Sequence, residues 1–299
     1  MELGILQFIQ KLGSDFFDLF FCAFSLLGET LIIVALVPLV YWCVDKATGE
    51  EVALDIFSGC YVNYLLKGII ARVRPIESHE TELRKVKYDY FYESLQHDGR
   101  YLPESFPSGH SQVSASFWSG VAYKRGLKKL WWLLLLPVMV ALSRLYLGVH
   151  WPTDVLTGLA IGFVVSAVIH VCLKASKTKT LLILPTVASA LMFFNLLGDV
   201  QFKQLMMTSI MLALIWGGCL GMLVEQKYIE FSTGDVKWWM RVLRLPVGLL
   251  AVGVCAGLVF LPLWLLGVDK YISLVPVGFT AAFAMATAAP LTFKMFRIV

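Results

Sequence analysis

One short stretch of this sequence, residues 143–154 (SRLYLGVHWPTD), concentrates reactive side chains at the edge of a long apolar segment. Ionisable groups are costly in such a place and therefore indicate a functional site. His150 and Asp154 are four residues apart. On a helix that spacing places them on one face, where the carboxylate can orient the imidazole and leave one ring nitrogen free to attack. Arg144 offers planar donors that suit a phosphate. The alternative is a structural His–Asp pair beside an interfacial arginine.

A second stretch, residues 67–75 (KGIIARVRP), contains two cations at helical spacing. Lys67 and Arg74 are two helical turns apart, so we expect both to project from one face of a helix that stops near Pro75. Two cations on one face require an anionic partner. The alternative is a helix end anchored to lipid headgroups, which is the role expected for Arg72.

A third stretch, residues 106–110 (FPSGH), has the features of a phosphate-binding helix start. Pro107 suits the first turn of a helix, and Gly109 lets the backbone approach a ligand. The free N–H groups of that turn favour a bound phosphate, and Ser108 adds a hydroxyl donor. His110 lies where it can give a proton to a leaving oxygen. On its own, this stretch is equally an ordinary helix cap.

The elements that position these residues are membrane helices. The chain is 58% hydrophobic and 15% charged, whereas soluble domains are typically ~45–50% apolar and ~25% charged. We predict an all-α polytopic fold. None of the six cysteines forms a CxxC pair, so neither a disulfide framework nor a zinc site is indicated. Nine segments are long and apolar enough to span the membrane: 29–44, 50–71, 108–124, 129–147, 150–173, 180–198, 204–224, 241–266 and 270–293.

These segments divide the chain into three parts. Residues 1–28 predict an amphipathic helix in the membrane interface, with a spanning helix as the alternative. Residues 29–173 form a core of five spans that contains every reactive stretch, interrupted by a long polar loop at 72–107. Residues 174–299 add four spans without a reactive cluster, and we interpret them as packing elements.

The distribution of basic residues predicts the orientation. Counting crossings places Arg74, Ser108 and His150 on one side of the membrane. The lysines and arginines of the short loops lie mainly on the other side, which the positive-inside rule identifies as cytoplasmic. The reactive residues are therefore expected on the extracytoplasmic or lumenal side. No basic stripe with interleaved aromatics indicates a nucleic-acid partner.

Together the three stretches resemble the type 2 phosphatidic acid phosphatase (PAP2) superfamily, which also includes glucose-6-phosphatase and the vanadium haloperoxidases. The family pattern KxxxxxxRP, PSGH and SRxxxxxHxxxD is present with every spacing intact, over roughly residues 60–160. The nine-span layout is similar to the glucose-6-phosphatase and sphingosine-1-phosphate phosphatase branches. Residues 25–29 (SLLGE) also resemble the second of these.

The resemblance implies a phosphatase that needs neither a metal ion nor a cofactor. It makes His150 the nucleophile that forms a phosphohistidine, Asp154 the residue that holds its ring, and His110 the proton donor. The remaining motif residues are expected to bind the phosphoryl oxygens: Lys67, Arg74, Ser108, Gly109 and Arg144.

The expected substrate is a lipid phosphate of the phosphatidate, polyprenyl or sphingoid type. The alternatives are a soluble sugar phosphate, or a non-catalytic role in binding or transporting a lipid phosphate. The intact His110, His150 and Asp154 favour an enzyme, because binding alone would require only the cations.

Overall fold

A computed structural model describes residues 1–79, 82–84, 86, 104–196, 200–234 and 236–298. Every regular element in these ranges is helical, which confirms the predicted all-α class. Much of the predicted polar loop, including its aromatic residues Tyr88, Tyr90, Phe91 and Tyr92, lies outside the described residues. The helices are α1 Glu2–Gln10, α2 Asp15–Leu26, α3 Thr30–Leu39, α4 Lys46–Ile69, α5 Pro75–Ser78, α6 Gly109–Arg125, α7 Leu127–Leu130, α8 Leu135–Tyr146, α9 Pro152–Ala175, α10 Lys177–Leu196, α11 Phe202–Val224, α12 Trp238–Leu265, α13 Lys270–Ala286 and α14 Ala288–Met295.

Three further helical turns continue or join these elements. π-helical turns at Val40–Val44 and Glu225–Ile229 extend α3 and α11, and a 3-10 turn at Trp131–Leu134 joins α7 to α8.

Each predicted membrane segment overlaps a helix, but fewer helices have the length and apolarity of a span. Within the described ranges, a bend of 48° separates α2 from α3, and together these two helices make a sixth candidate span. The count of nine therefore stays a prediction. The five continuous helical stretches long and apolar enough to cross a membrane are Leu127–Tyr146, Pro152–Ala175, Phe202–Ile229, Trp238–Leu265 and Lys270–Met295.

Two helices that contribute residues to the reactive stretches, α4 and α6, are too polar or too short to meet that test. α4 buries Glu50, Glu51 and Asp55, and the 17-residue α6 buries a series of serines and Gln112. Both lie in the interior of the bundle, packed against each other and against α9, while α11 covers another side of α4. Polar side chains on these helices therefore face protein instead of lipid.

The N-terminal segment differs from the single amphipathic helix predicted for residues 1–28. It forms two helices, α1 and α2, that both pack on α8. Asp18, expected on a polar face, is fully buried and accepts hydrogen bonds from the Arg84 guanidinium at 2.6 and 2.7 Å and from the Tyr146 hydroxyl. Its charge is compensated inside the protein, so it contributes nothing to a polar outer face.

Ion pairs fix α4 at the end of the bundle opposite the reactive stretches. Lys46 lies 2.6 Å from a Glu225 carboxylate oxygen, and Lys177 lies 2.7 Å from Glu50. Lys124 lies 3.4 Å from Glu51. Several of the basic residues that mark the predicted cytoplasmic side thus bind carboxylates of the bundle and tie α4, α6, α10 and α11 together.

Candidate active site

The structure brings the residues of the three reactive stretches together at one end of the bundle. Hydrogen bonds and close electrostatic contacts connect α4, the segment after it, the start of α6, the end of α8 and the start of α9. Nearly all of these side chains are buried, and His110 is 12% exposed. The residues that meet here are Lys67, Arg74, Ser108, Gly109, His110, Arg144, His150 and Asp154.

The two ring nitrogens of His150 face groups of opposite charge. Nδ1 lies 3.6 Å from Asp154 Oδ2, and Nε2 lies 3.3 Å from Arg74 Nη1. Burial lowers the pKa of His150 well below its usual value, and the neighbouring cations Arg74, Arg144 and Lys67 lower this pKa further. The imidazole is therefore neutral near pH 7. With its proton on Nδ1, towards the carboxylate, the lone pair of Nε2 points to the cations.

His150 and Asp154 are close for a different reason from the predicted one. α9 begins at Pro152, so His150 precedes the helix and the two residues do not share a helical face. Asp154 lies in the first turn and accepts a hydrogen bond from the Trp151 amide at 2.8 Å, closing the helix start. This cap turns the chain back, and the turn places the imidazole beside the carboxylate.

Two residues that the sequence patterns did not identify complete the surroundings of Asp154. The Ser105 hydroxyl donates a hydrogen bond to Asp154 Oδ2 and lies 3.3 Å from His150 Nδ1, so it bridges the pair. Arg72 Nη1 donates to Asp154 Oδ1 at 2.9 Å, and its guanidinium lies 5.0 Å from the centre of the Trp151 ring. Arg72 therefore binds the site carboxylate, and its expected role as a headgroup anchor stays a prediction.

Lys67 and Arg74 both reach the site, but not from one helical face. α4 ends at Ile69, the chain then runs extended, and Pro75 starts the short helix α5. Lys67 Nζ donates to the Glu104 carbonyl at 2.7 Å, and Arg74 Nη1 donates to the Val149 carbonyl at 3.0 Å. Because proline disfavours helix in the residue before it, Arg74 was expected at the helix end. In fact the helix ends five residues earlier.

The start of α6 has a first turn suited to an anion. Ser108 is the N-cap residue, and its side chain accepts hydrogen bonds from the amide and hydroxyl of Ser111. Pro107 therefore precedes the cap and does not occupy the predicted first turn. The amides of Gly109 and His110 precede the first intrahelical hydrogen bonds. A side chain on Gly109 would meet nothing within 4 Å, so open space faces these donors.

Close packing of α9 on α6 sets the distance between the two halves of the site. A Cβ at Gly158, one turn after Asp154, would lie 2.4 Å from the Ser108 carbonyl oxygen, so a glycine permits this approach. One turn earlier, the Ser108 amide donates to the Asp154 carbonyl at 3.0 Å. The cap of α6 and the first turn of α9 are thus directly joined.

The N-terminal part of the chain contributes two contacts that the sequence analysis missed. Glu29 Oε2 lies 3.1 Å from His110 Nε2, and Arg144 donates a hydrogen bond to the Ser25 hydroxyl. Both residues belong to the SLLGE stretch, whose only recognised feature in the sequence was its resemblance to one branch of the family. The available signal was a carboxylate at the edge of an apolar segment, the same signal that singled out Asp154.

The charges of the site are those of an anion-binding pocket with an ordered imidazole. Three basic side chains line it: Lys67, Arg74 and Arg144. Each of its two carboxylates faces a histidine, Asp154 beside His150 and Glu29 beside His110. A phosphate at the start of α6 would meet cations and free amides. The neutral Nε2 of His150 is available as a nucleophile from the side of Arg74.

Comparison with known proteins agrees with the motifs. Residues 51–177 match the PAP2 superfamily, which confirms the resemblance over the stretch that contains all three motifs. A protein of Escherichia coli (strain K12), provisionally named an undecaprenyl-diphosphatase (YbjG), is 25% identical over 46% of this chain and 64% of its own length. Lipid A 1-phosphatase of Rhizobium etli is 31% identical over 36% of this chain and 42% of its own.

One further curated relative and one solved structure are also similar to part of this chain. Phosphatidylglycerophosphatase B of Bacillus subtilis (strain 168) is 33% identical over 34% of this chain and 46% of its own length. The crystal structure of Aquifex aeolicus LpxE is 22% identical, with a TM-score of 0.46, and the likeness covers 56% of this chain and 93% of that one. The chain spans less than two thirds of the length of each of the three curated relatives.

Replacement of Gly109 by alanine tests the start of α6 as a phosphate site. Gly109→Ala should fold normally, because the methyl group meets nothing within 4 Å and alanine is favoured over glycine in a helix by up to ~1 kcal/mol. It should weaken binding of inorganic phosphate roughly tenfold or more, because the methyl group blocks a charge-assisted hydrogen bond worth about 1.5–3 kcal/mol. Calorimetric titration and thermal unfolding of the purified protein measure the two effects.

Gly4→Ala is the matched control for this experiment. Gly4 also lies in a helix with nothing within 4 Å of its Cβ position, but on α1. It should leave phosphate binding unchanged. Phosphate binding by Gly109→Ala as tight as in the parent protein would show that phosphate does not approach this turn.

Proposed function

We propose that this protein, whose residues 51–177 match the PAP2 superfamily, is a membrane phosphatase that hydrolyses a lipid phosphate through a phosphohistidine on His150. The main support is the arrangement of His150, with Nδ1 towards a buried carboxylate and Nε2 beside the Arg74 guanidinium. Such an imidazole is neutral, oriented, and aimed at the place where cations would hold a phosphoryl group.

In the proposed first step, Nε2 of His150 attacks phosphorus, and a P–N bond forms as the P–O bond to the alkoxide breaks. His110, held by Glu29, gives the leaving oxygen its proton. The charge on the phosphoryl oxygens is stabilised by the first-turn donors of α6 and by three basic side chains, Lys67, Arg74 and Arg144. In the second step, His110 takes a proton from water, the resulting nucleophile attacks phosphorus, and the P–N bond breaks to release inorganic phosphate.

A lipid substrate is supported by the position of the site and by the names of the relatives. The reactive residues lie at the ends of bundle helices, where a headgroup can enter while its chain stays in lipid. Three matched proteins carry names that refer to lipid phosphates: an undecaprenyl-diphosphatase, a lipid A 1-phosphatase and a phosphatidylglycerophosphatase. We place the site on the extracytoplasmic or lumenal side, because the basic short loops lie at the opposite end.

Phosphate release across a substrate panel tests the proposed substrate class. The panel compares glucose 6-phosphate with four lipids in mixed micelles at equal concentration: phosphatidate, phosphatidylglycerol phosphate, a polyprenyl diphosphate and a sphingoid phosphate. At least one lipid should be hydrolysed much faster than the sugar phosphate. Equal or faster turnover of glucose 6-phosphate would favour the soluble substrate. Absence of turnover with every compound would favour the binding or transport role.

The covalent intermediate can be trapped directly. With a radiolabelled substrate, an acid quench during a single turnover should leave base-stable label on the peptide that contains His150, in the presence of EDTA as well as in its absence. Asp154→Asn should reduce the rate on the order of 10⁴-fold, as the same change does in a hydrogen-bonded catalytic triad. His79→Gln, which changes a histidine near the site that matches no motif, serves as the control. Activity that disappears in EDTA, without any labelled histidine, would contradict the mechanism.

Glu29 should act through His110, and the leaving group reveals this. Glu29→Gln removes the negative charge beside Nε2, so the protonated imidazole is less favoured and proton donation weakens. Hydrolysis of an alkyl phosphate should fall by roughly 10²-fold, the lower end of general-acid effects. Hydrolysis of p-nitrophenyl phosphate, whose leaving group hardly needs a proton, should fall much less. Glu77→Gln, at an exposed position of α5, is the control. Equal losses for both substrates would instead indicate a structural role for Glu29.

A further inference from the structure

An apolar cavity of about 430 Å³ extends from the phosphate end of the site into the bundle. Its polar end is formed by Lys67 and Gly109, with Asn63 and Gln112 beside them. This volume lies within the ~300–1,000 Å³ range of ligand pockets. The cavity is therefore continuous with the proposed phosphate site and large enough to hold part of a ligand.

One face of α4 forms the floor of this cavity. The floor is a single helical stripe, because its residues recur at intervals of three or four along the helix: Ile56, Cys60, Asn63 and Lys67. From Lys67 to Ile56 the stripe extends roughly 16 Å at ~1.5 Å per residue. Along this stripe the lining changes from a cation to apolar side chains. An amphiphilic ligand with an anionic head and an apolar chain matches that order.

The other walls come from α3 and from the C-terminal helices. Pro38 lies on α3, Met211 on α11, Val252 on α12 and Met285 on α13. The three C-terminal helices follow residues 51–177, which match the family. The C-terminal helices, predicted to be packing elements, thus form one side of a cavity that begins at Lys67 and Gly109 of the proposed phosphate site.

The cavity opens sideways between α3 and α12. Leu31 and Val34 on α3, and Leu249 on α12, line the cavity while remaining 78%, 40% and 52% exposed. Apolar side chains exposed on a spanning bundle face lipid. The opening therefore connects the cavity with the bilayer, from which a chain could enter without crossing water.

We propose that this cavity binds the hydrocarbon chain of the phosphorylated lipid, with its phosphate at Lys67 and Gly109. The inference rests on the proposed function. Continuity with the cationic end, an apolar lining and a lateral opening together identify the occupant as the chain of that same lipid. Because bilayer chains are as apolar as the cavity, it adds little affinity for a lipid already in the membrane. Its effect is to position the headgroup and to select chain length.

Water-soluble substrates make this selection measurable. For n-alkyl phosphates below their micellar concentrations, kcat/KM should rise about fourfold per methylene, the equivalent of ~0.8 kcal/mol for each buried CH₂. The rise should level off when the chain fills the cavity. We expect this levelling between butyl and hexadecyl phosphate.

Two valine substitutions on α12 provide a matched pair. Val252 lines the cavity, whereas Val254 is exposed and does not line it. Val252→Trp should lower the ratio of kcat/KM for dodecyl phosphate to that for butyl phosphate by at least tenfold, and Val254→Trp should leave the ratio unchanged. Because the ratio is taken within each protein, it does not depend on the folded fraction. The same ratio in both variants would overturn the proposal.

A photolabel tests occupancy in the unmodified protein without any turnover. A dodecyl phosphonate with a diazirine at the chain end should label cavity residues such as Met211 or Met285, and excess dodecyl phosphonate should prevent this. Label confined to residues outside the cavity would overturn the chain site. Label in the cavity without hydrolysis of any alkyl phosphate would support the chain site and contradict the phosphatase proposal. The experiment therefore distinguishes a failure of the proposed chain site from a failure of the proposed phosphatase activity.

Discussion

The buried carboxylate of Asp154 is the group on which the geometry of this site depends. It is fully enclosed, and a buried charge is stable only when it is paired and hydrogen-bonded. Its partners come from three parts of the chain: Arg72 after α4, Ser105 before α6, and the adjacent His150 ring and Trp151 amide at the start of α9. Satisfying this one charge therefore draws together the segments that hold the nucleophile and the phosphate-binding groups.

The cations of the site follow the opposite principle. Lys67 and Arg74 are buried and donate hydrogen bonds to the main-chain carbonyls of Glu104 and Val149. A main-chain acceptor of this kind holds a cationic side chain in place without itself adding a negative charge. Burial lowers the pKa of His150 most, and the cations that would bind an anion lower it further, so both keep the imidazole neutral. Phosphate binding and nucleophilicity thus arise from one arrangement of charges.

The residues of the three motifs meet at one end of the bundle, and fixed spacings within short stretches made them recognisable in the sequence; their catalytic roles stay predictions. The sequence was less successful with their supports. Three of these supports reach the site only because distant segments pack together, and no local spacing in the sequence predicts that packing: Ser105, Glu29 and Arg72. The predicted helical spacing of two pairs was wrong, because a helix boundary lies between the members of each pair. α4 ends between Lys67 and Arg74, and α9 begins between His150 and Asp154. The apolar segments located the helices. The cavity depends on how α3 and α11–α13 pack, so it appears only in three dimensions.

The polarity of α4 has a consequence for biosynthesis. This helix is made before α9 and α11, which later cover it, yet it contains Glu50, Glu51 and Asp55. A buried aspartate costs about 2.5–3.5 kcal/mol at the centre of a lone helix leaving the translocon, and Glu50 and Glu51, which lie closer to the start of α4, add to this cost. α4 is therefore a poor substrate for one-at-a-time insertion. It should remain beside the translocon until later helices arrive and enter the bilayer together with them. The C-terminal half, which contains no reactive motif, thus includes a helix that the N-terminal half requires in order to reach the membrane.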